Sequence, residues 1–496
     1  MWQLKEDEIL KNIFIKHKEI KRAAAFFMVL FLCLELTFSC LPLKAYAEEL
    51  EDRLLMPISS NSLENWPEGP AVYAQTACLM DANTGAILYD KNMNEAQYPA
   101  STTKVMTCLL AAEHCSMDEM VTFSRDAVYG IERDSSNVGM DAGQSITMEE
   151  AIYCIMLASA NEVASAVAEH VAGSTEEFAK MMNEKAKELG CTNTHFVNAN
   201  GLHNEEHYTT AHDLALITAA YFRNEQLRKI ASTTYYEVHA TDTQPDDFGI
   251  GNHHKMLPGR AYAYEYTVGG KTGFTVMARQ TLVTCAEKGD MLLVCAVMRD
   301  EAPHQYTDTH DLFEYGFNNF KEWSVADNEK SYTIDNANFF KTDINIFGNS
   351  KTLFTLGEDK TDMITLPITA DFSECESSLD YEVEDEDTLA EIDYTYKGTY
   401  VGSGRILFAN PEVTSFKFGE NPQPESVSAA DLKKGQNVVF VNAVPILIIV
   451  GVVILLFFII FTIGALLKNY SFAQRRRKNI IKKSRRYKSE FDDFDF

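Results

Sequence analysis

Ser101 and Lys104 stand three residues apart at the head of an apolar run containing Val105, Met106, Leu109 and Leu110. On a helix that spacing puts both side chains on one face. A serine hydroxyl is a poor nucleophile until a base takes its proton, and a lysine can be that base if burial or a nearby cation lowers its pKa. The pair is therefore a candidate nucleophile and base for acyl transfer. Taken alone it also reads as a helix start with a surface lysine, since S-x-x-K should occur roughly twice by chance in a chain this long. Other motifs must carry the choice. Lys271-Thr272-Gly273 occurs once, between Gly269-Gly270 and Phe274-Thr275. S-x-N occurs at 59–61, 135–137 and 159–161. Only the third interrupts two apolar helical stripes, where side chains can project into a cleft, so Ser159 and Asn161 are selected.

Metal chemistry is not expected. His203 and His207 in "HNEEH" fit H-x-x-E-H, but that zinc motif needs a helix, and "NANGL" before it and "YTTA" after it read as loop. His253-His254 has no third ligand at a persuasive spacing. Two of the ten cysteines, Cys33 and Cys40, lie in an N-terminal apolar segment, and the other eight form no C-x-x-C pair or zinc spacing. Cys108 and Cys154 fall at apolar helical positions and read as small core residues. No cofactor is expected.

The elements that must hold these residues are legible as patterns. "ACLMDANTGAILYDKN" (77–92) predicts a hairpin turning at 82–85, and 279–298 predicts a second strand pair around Glu287–Asp290. Thr147 and Glu150 make a T-x-x-E capping box before a helix carrying Ile152, Ile155 and Met156. A second helix carries Val163, Val167 and Val171 and ends at Gly173; the two break near 159–161. The economical arrangement is an antiparallel sheet built from both ends of this region and flanked by helices. From 323 to 420 short alternating stretches predict a separate β-rich domain, with the acid-dense run 371–393 as a solvated edge and loop.

In order, S-x-x-K, S-x-N and K-T-G form the serine penicillin-recognising signature. With "YPASTTKVMT", "NANGLHNEEHYTTAHDLA", "GNHHKML", "VGGKTGFT" and "FEYGF", residues 70–320 resemble the low-molecular-mass penicillin-binding proteins of the serine-type D-alanyl-D-alanine carboxypeptidase family. The resemblance implies the α/β (α+β) fold of DD-peptidases and β-lactamases, followed by a small all-β domain. It implies Ser101 as the acylated nucleophile, Lys104 as its base and Ser159 as the proton relay to the leaving amine. Asn161, Lys271, Thr272, Gly273 and Phe274 would bind substrate, with the backbone N–H groups of Ser101 and Phe274 as the oxyanion hole. The implied partners are peptidoglycan stem peptides and β-lactams. Three positions depart from the family pattern. Asn200 replaces a histidine, Arg279 a glycine, and Gln305 an arginine before "YTDT", which bears on how a terminal carboxylate is held; Arg279 or Arg299 could compensate. No E-x-x-L-N follows Asn161 before Lys271, which argues against a class A β-lactamase. A DD-transpeptidase or endopeptidase, or a peptidoglycan binder without turnover, remain the alternatives.

Charge and hydropathy set the address. The chain carries 72 Asp+Glu against 44 Lys+Arg, a net charge of −28, and both termini are basic, so the stretch between is more acidic still. That is a poor surface for nucleic acid. Residues 23–34 follow Lys21-Arg22 and precede Ala45-Tyr46-Ala47, a pattern expected of a signal peptide cut after 47. Residues 443–467 are uncharged and long enough to span a bilayer, and the basic flank 468–496 predicts a cytoplasmic tail. The expected organisation is therefore leader 1–47, linker 48–69, catalytic domain 70–322, β-rich domain 323–420, linker 421–442, transmembrane helix 443–467 and tail 468–496. The catalytic part would lie outside a bacterial cell membrane.

Overall fold

The computed structural model describes residues 50–330 and 354–408, except 384 and 386. The N-terminal hairpin is β1 (Thr76–Asp81) and β2 (Ile87–Lys91). Two short ribbons follow, β3 (Met120–Thr122) with β4 (Ser145–Thr147), and β5 (Tyr235–Val238) with β6 (Phe248–Gly251). Then come β7 (Thr267–Thr275), β8 (Arg279–Lys288) and β9 (Met291–Asp300). The central sheet has the order β2-β1-β9-β8-β7 and is antiparallel throughout. Both ends of the region thus build one sheet, as the sequence implied, and β7 lies at its edge. β1 is buried along its whole length, and β9 at all but one position. Such continuous burial is what a near-unbroken apolar run needs, because both faces of the strand are covered.

One face packs on the helices Lys104–His114, Met148–Leu157, Asn161–Ala172 and Ala211–Arg223 through Cys78, Met80, Val105, Leu109, Ile152, Val163 and Leu214, among others. The expected capping box is present: Thr147 Oγ1 accepts from Glu150 N at 3.3 Å, and Glu150 Oε2 accepts from Thr147 N at 3.0 Å. Gly173, with φ 82°, ends the helix that begins at Asn161.

The other face packs on the helix His304–Asn319 and on a second sheet. This sheet comprises β10 (Phe320–Ser324), β11 (Phe354–Leu356), β12 (Met363–Pro367), β13 (Glu376–Asp380), β14 (Thr388–Tyr396) and β15 (Thr399–Phe408), in the order β10-β12-β15-β14-β13 with β11 also on β15. Part of the acid-dense run forms the exposed edge strand β13, and its end enters β14, where burial alternates. The division expected at 322 falls inside β10, and the two sheets share one apolar core that includes Trp66, Leu88, Phe320, Ile364 and Tyr394. Buried Thr365 ties them further, donating to Asp81 Oδ2 at 2.6 Å and meeting the Thr84 hydroxyl at 2.9 Å. The stretch expected as a linker before residue 70 is packed where it is described: Trp66 is buried and its Nε1 donates to Leu88 O at 2.9 Å.

The leader 1–47, the linker 421–442, the span 443–467 and the tail 468–496 lie outside the described residues. Among the described residues no helix is long and apolar enough to cross a membrane.

Candidate active site

Ser101 does not lie on the α-helix itself. It sits in a 3-10 turn, Ala100–Thr103, that feeds the helix Lys104–His114. Ala100 has φ 50°, a left-handed conformation that a side chain makes costly, by about 1–3 kcal/mol. Neighbours hold that turn in place. Pro99 O accepts from Thr102 Oγ1 at 2.7 Å and from Thr281 Oγ1 of β8 at 2.9 Å. Two glycines let other backbones come close. A Cβ on Gly201, where φ is +81°, would lie 1.9 Å from Ala100 O. A Cβ on Gly273 of β7 would lie 2.2 Å from Thr281 Oγ1 and 3.0 Å from both Pro99 O and Ser101 N.

Lys104 is completely buried, and its ammonium nitrogen has three partners: Ser101 Oγ at 3.1 Å, Asn161 Oδ1 at 2.6 Å and Asn200 O at 2.5 Å. Burial holds its pKa well below the usual lysine range, and the nearby Lys271 lowers it further. A lysine so placed can be neutral at ordinary pH and within reach of a serine proton, which is what an activated nucleophile requires.

Asn161 begins its helix, and Ser159 sits two residues earlier in the break with φ 61°, almost wholly buried. Lys271 is buried on β7, its Nζ donates to Thr272 O at 2.9 Å, and burial lowers its pKa to about 7. Thr272 is half-buried and Gly273 buried, whereas the Phe274 side chain is exposed at the strand end. The fold therefore gathers the three motifs: Lys104 bonds Asn161 directly, Lys271 acts on Lys104 through its charge, and Gly273 abuts Ser101.

Several contributors were not singled out by sequence. Asn200 acts through its carbonyl, so the departure from histidine there leaves the Lys104 contact intact. His207 is no zinc ligand; "HNEEH" lies in a loop, where Nδ1 accepts from Val197 N at 3.1 Å and Nε2 meets Thr103 Oγ1 at 2.8 Å. Burial pushes its pKa to about 3, so the ring is neutral, with the proton on Nε2. Glu162 Oε1 accepts from Val138 N at 2.6 Å and Gly139 N at 3.2 Å, fastening a loop beside Asn161. Only the recurring Thr, Asn and Gly around Ser101 and Asn200 hinted at this framework. At the departures, Arg279 is engaged by Glu301 through two bonds of 2.6 and 2.7 Å, and Gln305 Nε2 donates to Gln280 Oε1 at 3.3 Å. All the cysteines among the described residues are free thiols.

Residues 64–302 match the profile of a family described as D-alanyl-D-alanine carboxypeptidase. The D-alanyl-D-alanine carboxypeptidase DacF of Bacillus subtilis is 35% identical over 234 residues, 47% of this chain and 59% of that relative's length. A D-alanyl-D-alanine carboxypeptidase of Mycobacterium tuberculosis is 32% identical over 260 residues, 51% of this chain and 84% of its own. Among solved structures, penicillin binding protein 5 from Haemophilus influenzae aligns with a TM-score of 0.55 at 25% identity, covering 69% of this chain and 98% of that one.

Proposed function

The chain belongs to the D-alanyl-D-alanine carboxypeptidase family and has the α+β fold of the penicillin-binding proteins, and on that premise we propose that it removes the terminal D-alanine from peptidoglycan stem pentapeptides through an acyl-enzyme on Ser101. The observation that carries this reading is the buried Lys104, 3.1 Å from the Ser101 hydroxyl and depressed in pKa.

In this mechanism neutral Lys104 takes the Ser101 proton as Oγ attacks the carbonyl between the two D-alanines. The oxyanion binds the N–H groups of Ser101 and Phe274, which the approach of β7 at Gly273 favours. Ser159 passes a proton to the departing amine, and D-alanine leaves. Asn161 holds Lys104 and the stem-peptide amide. Lys271, with Thr272 beside it, supplies charge for the terminal carboxylate; Arg279, occupied by Glu301, is not relied on. Water then attacks the ester and restores Ser101. Because β7 is a sheet edge, the peptide can lie along it as an added strand. β-Lactams would acylate the same serine. The proposed setting is the outer face of a bacterial membrane, with residues 443–467 as the anchor and 468–496 inside. Loss of membrane association on deleting 443–496 would support that part.

The deciding assay is D-alanine release from a stem pentapeptide by the full chain beside Ser101→Ala. One D-alanine per peptide, absent in the variant, supports the proposal. β-Lactam acylation of Ser101 without D-alanine release would point to a transpeptidase, and the absence of both reactions to a non-catalytic binder.

A further inference from the structure

We propose that Cys115, Glu119 and His170 form a zinc-type cation site that joins the far ends of the helices Lys104–His114 and Asn161–Ala172. Their ligand atoms, one thiol sulfur, one carboxylate oxygen and one imidazole nitrogen, all lie within 4.8 Å of one another. His170 Nε2 and Glu119 Oε2 are already 3.1 Å apart. Tetrahedral zinc with bonds of about 2.0–2.3 Å places neighbouring ligand atoms about 3.5 Å apart, so the widest gap must close by only about 1 Å. Side chains with His170 25% and Glu119 44% exposed have room for that adjustment.

The backbones that carry the three groups are fixed. Cys115 caps the first helix, its N–H bonded to Ala111 O at 3.0 Å. Glu119 O accepts from Met148 N at 2.8 Å, and its N–H reaches Ser116 O at 3.1 Å. The second carboxylate oxygen, Oε1, accepts from Ser116 N at 2.6 Å, which turns Oε2 toward the imidazole. Such outer contacts orient metal ligands. His170 lies in the last turn of the second helix. A plain ion pair between His170 and Glu119 has no use for a thiol. Among the described residues six of the other cysteines are buried, most of them in the apolar cores; Cys115 is half-buried, like Cys375, and lies at the margin of the core with Glu119 and His170 beside its sulfur. Thiolate, imidazole and carboxylate together suit zinc, with water as the fourth ligand and the thiol proton released to solvent.

The two helices joined in this way are those that begin at Lys104 and Asn161, whose side chains bond each other at 2.6 Å. A cation at Cys115 would pin their opposite ends and stabilise their pairing without touching the reacting atoms. The inference does not depend on the peptidase reading.

The test is titration of the metal-free full chain with Co2+ and then Zn2+ in a non-chelating reductant. One equivalent of Co2+ should give a thiolate-to-cobalt charge-transfer band that Zn2+ displaces, and Zn2+ should raise the thermal unfolding midpoint. Cys115→Ser should abolish the band. His170→Gln, which keeps the thiol, should weaken binding by at least roughly tenfold. A wild-type chain with neither band nor thermal shift, or a band that persists undiminished in both variants, overturns the proposal.

Discussion

Replacing Gly273 by alanine separates the contribution of β7 to stability from its contribution to rate. The new Cβ would lie 2.2 Å from Thr281 Oγ1 and 3.0 Å from Ser101 N. The first contact can be relieved if the Thr281 hydroxyl rotates away, but its bond to Pro99 O is then lost, at about 0.5–1.5 kcal/mol because Thr102 Oγ1 still donates to that carbonyl. The second can be relieved only if β7 and the Ser101 turn part by a few tenths of an ångström. That movement displaces an oxyanion donor, a change that costs about 10²–10³ in rate when the donor is lost outright. Gly273→Ala should therefore lower both the unfolding midpoint and the rate of Ser101 acylation by a chromogenic β-lactam. Adding Thr281→Ala removes the 2.2 Å clash, so the double variant should regain thermal stability relative to Gly273→Ala while remaining slow. A folded Gly273→Ala chain that acylates at the wild-type rate would mean that β7 does not set the position of the Ser101 turn.

With its pKa near 7, Lys271 is charged below that pH and neutral above it, so kcat/KM for a pentapeptide should fall as pH rises through about 7. Lys271→Arg should move that limb upward, as a pH profile would show. The unfolded chain holds the Lys271 proton up to the ordinary 10.5 while the folded chain gives it up near 7, so this residue should make stability rise with pH across that window, a slope absent from Lys271→Met in pH-dependent denaturation. Gly201→Ala places a Cβ 1.9 Å from Ala100 O at φ +81°, and the shift should carry the Asn200 carbonyl off Lys104, slowing acylation by about 10²-fold if the displacement nears 1 Å. His207→Ala strands Val197 N and the Thr103 hydroxyl, and its thermal melt should report a loss of about 1–3 kcal/mol.

The sequence was most informative where short-range pattern and chemistry coincide. The hairpin at 77–92, the Thr147–Glu150 capping box, the break at 159–161 and the Gly173 stop all appear in the structure, because each is decided by residues within a few positions. The meeting of Ser101, Lys104, Asn161 and Lys271 was readable through motif order. The partners that act through backbone or long-range packing were hidden. Asn200 contributes a carbonyl that any residue would offer, and His207 reaches Thr103 across 104 positions. The core shared by the two sheets was equally hidden, since Trp66 and Tyr394 meet it from opposite ends of the described chain. Cys115, Glu119 and His170 carry no recognisable spacing, and only the fold brings them together.

An unpaired strand edge normally invites any passing strand, and proteins blunt such edges with charge, bulges or cover. At β7 the residues Gly269, Gly270, Lys271 and Gly273 are buried although the strand ends the sheet, and exposure returns only at Phe274. Cover is thus the guard: a Cβ on Gly269 would meet Ala231 at 2.9 Å and one on Gly270 would meet His254 Nε2 at 2.7 Å, so the chain itself shields that part of the edge and leaves the Phe274 end open. Access for substrate and resistance to clumping become a single property of that cover. Variants that pare it back to admit bulkier peptides should lose solubility in step.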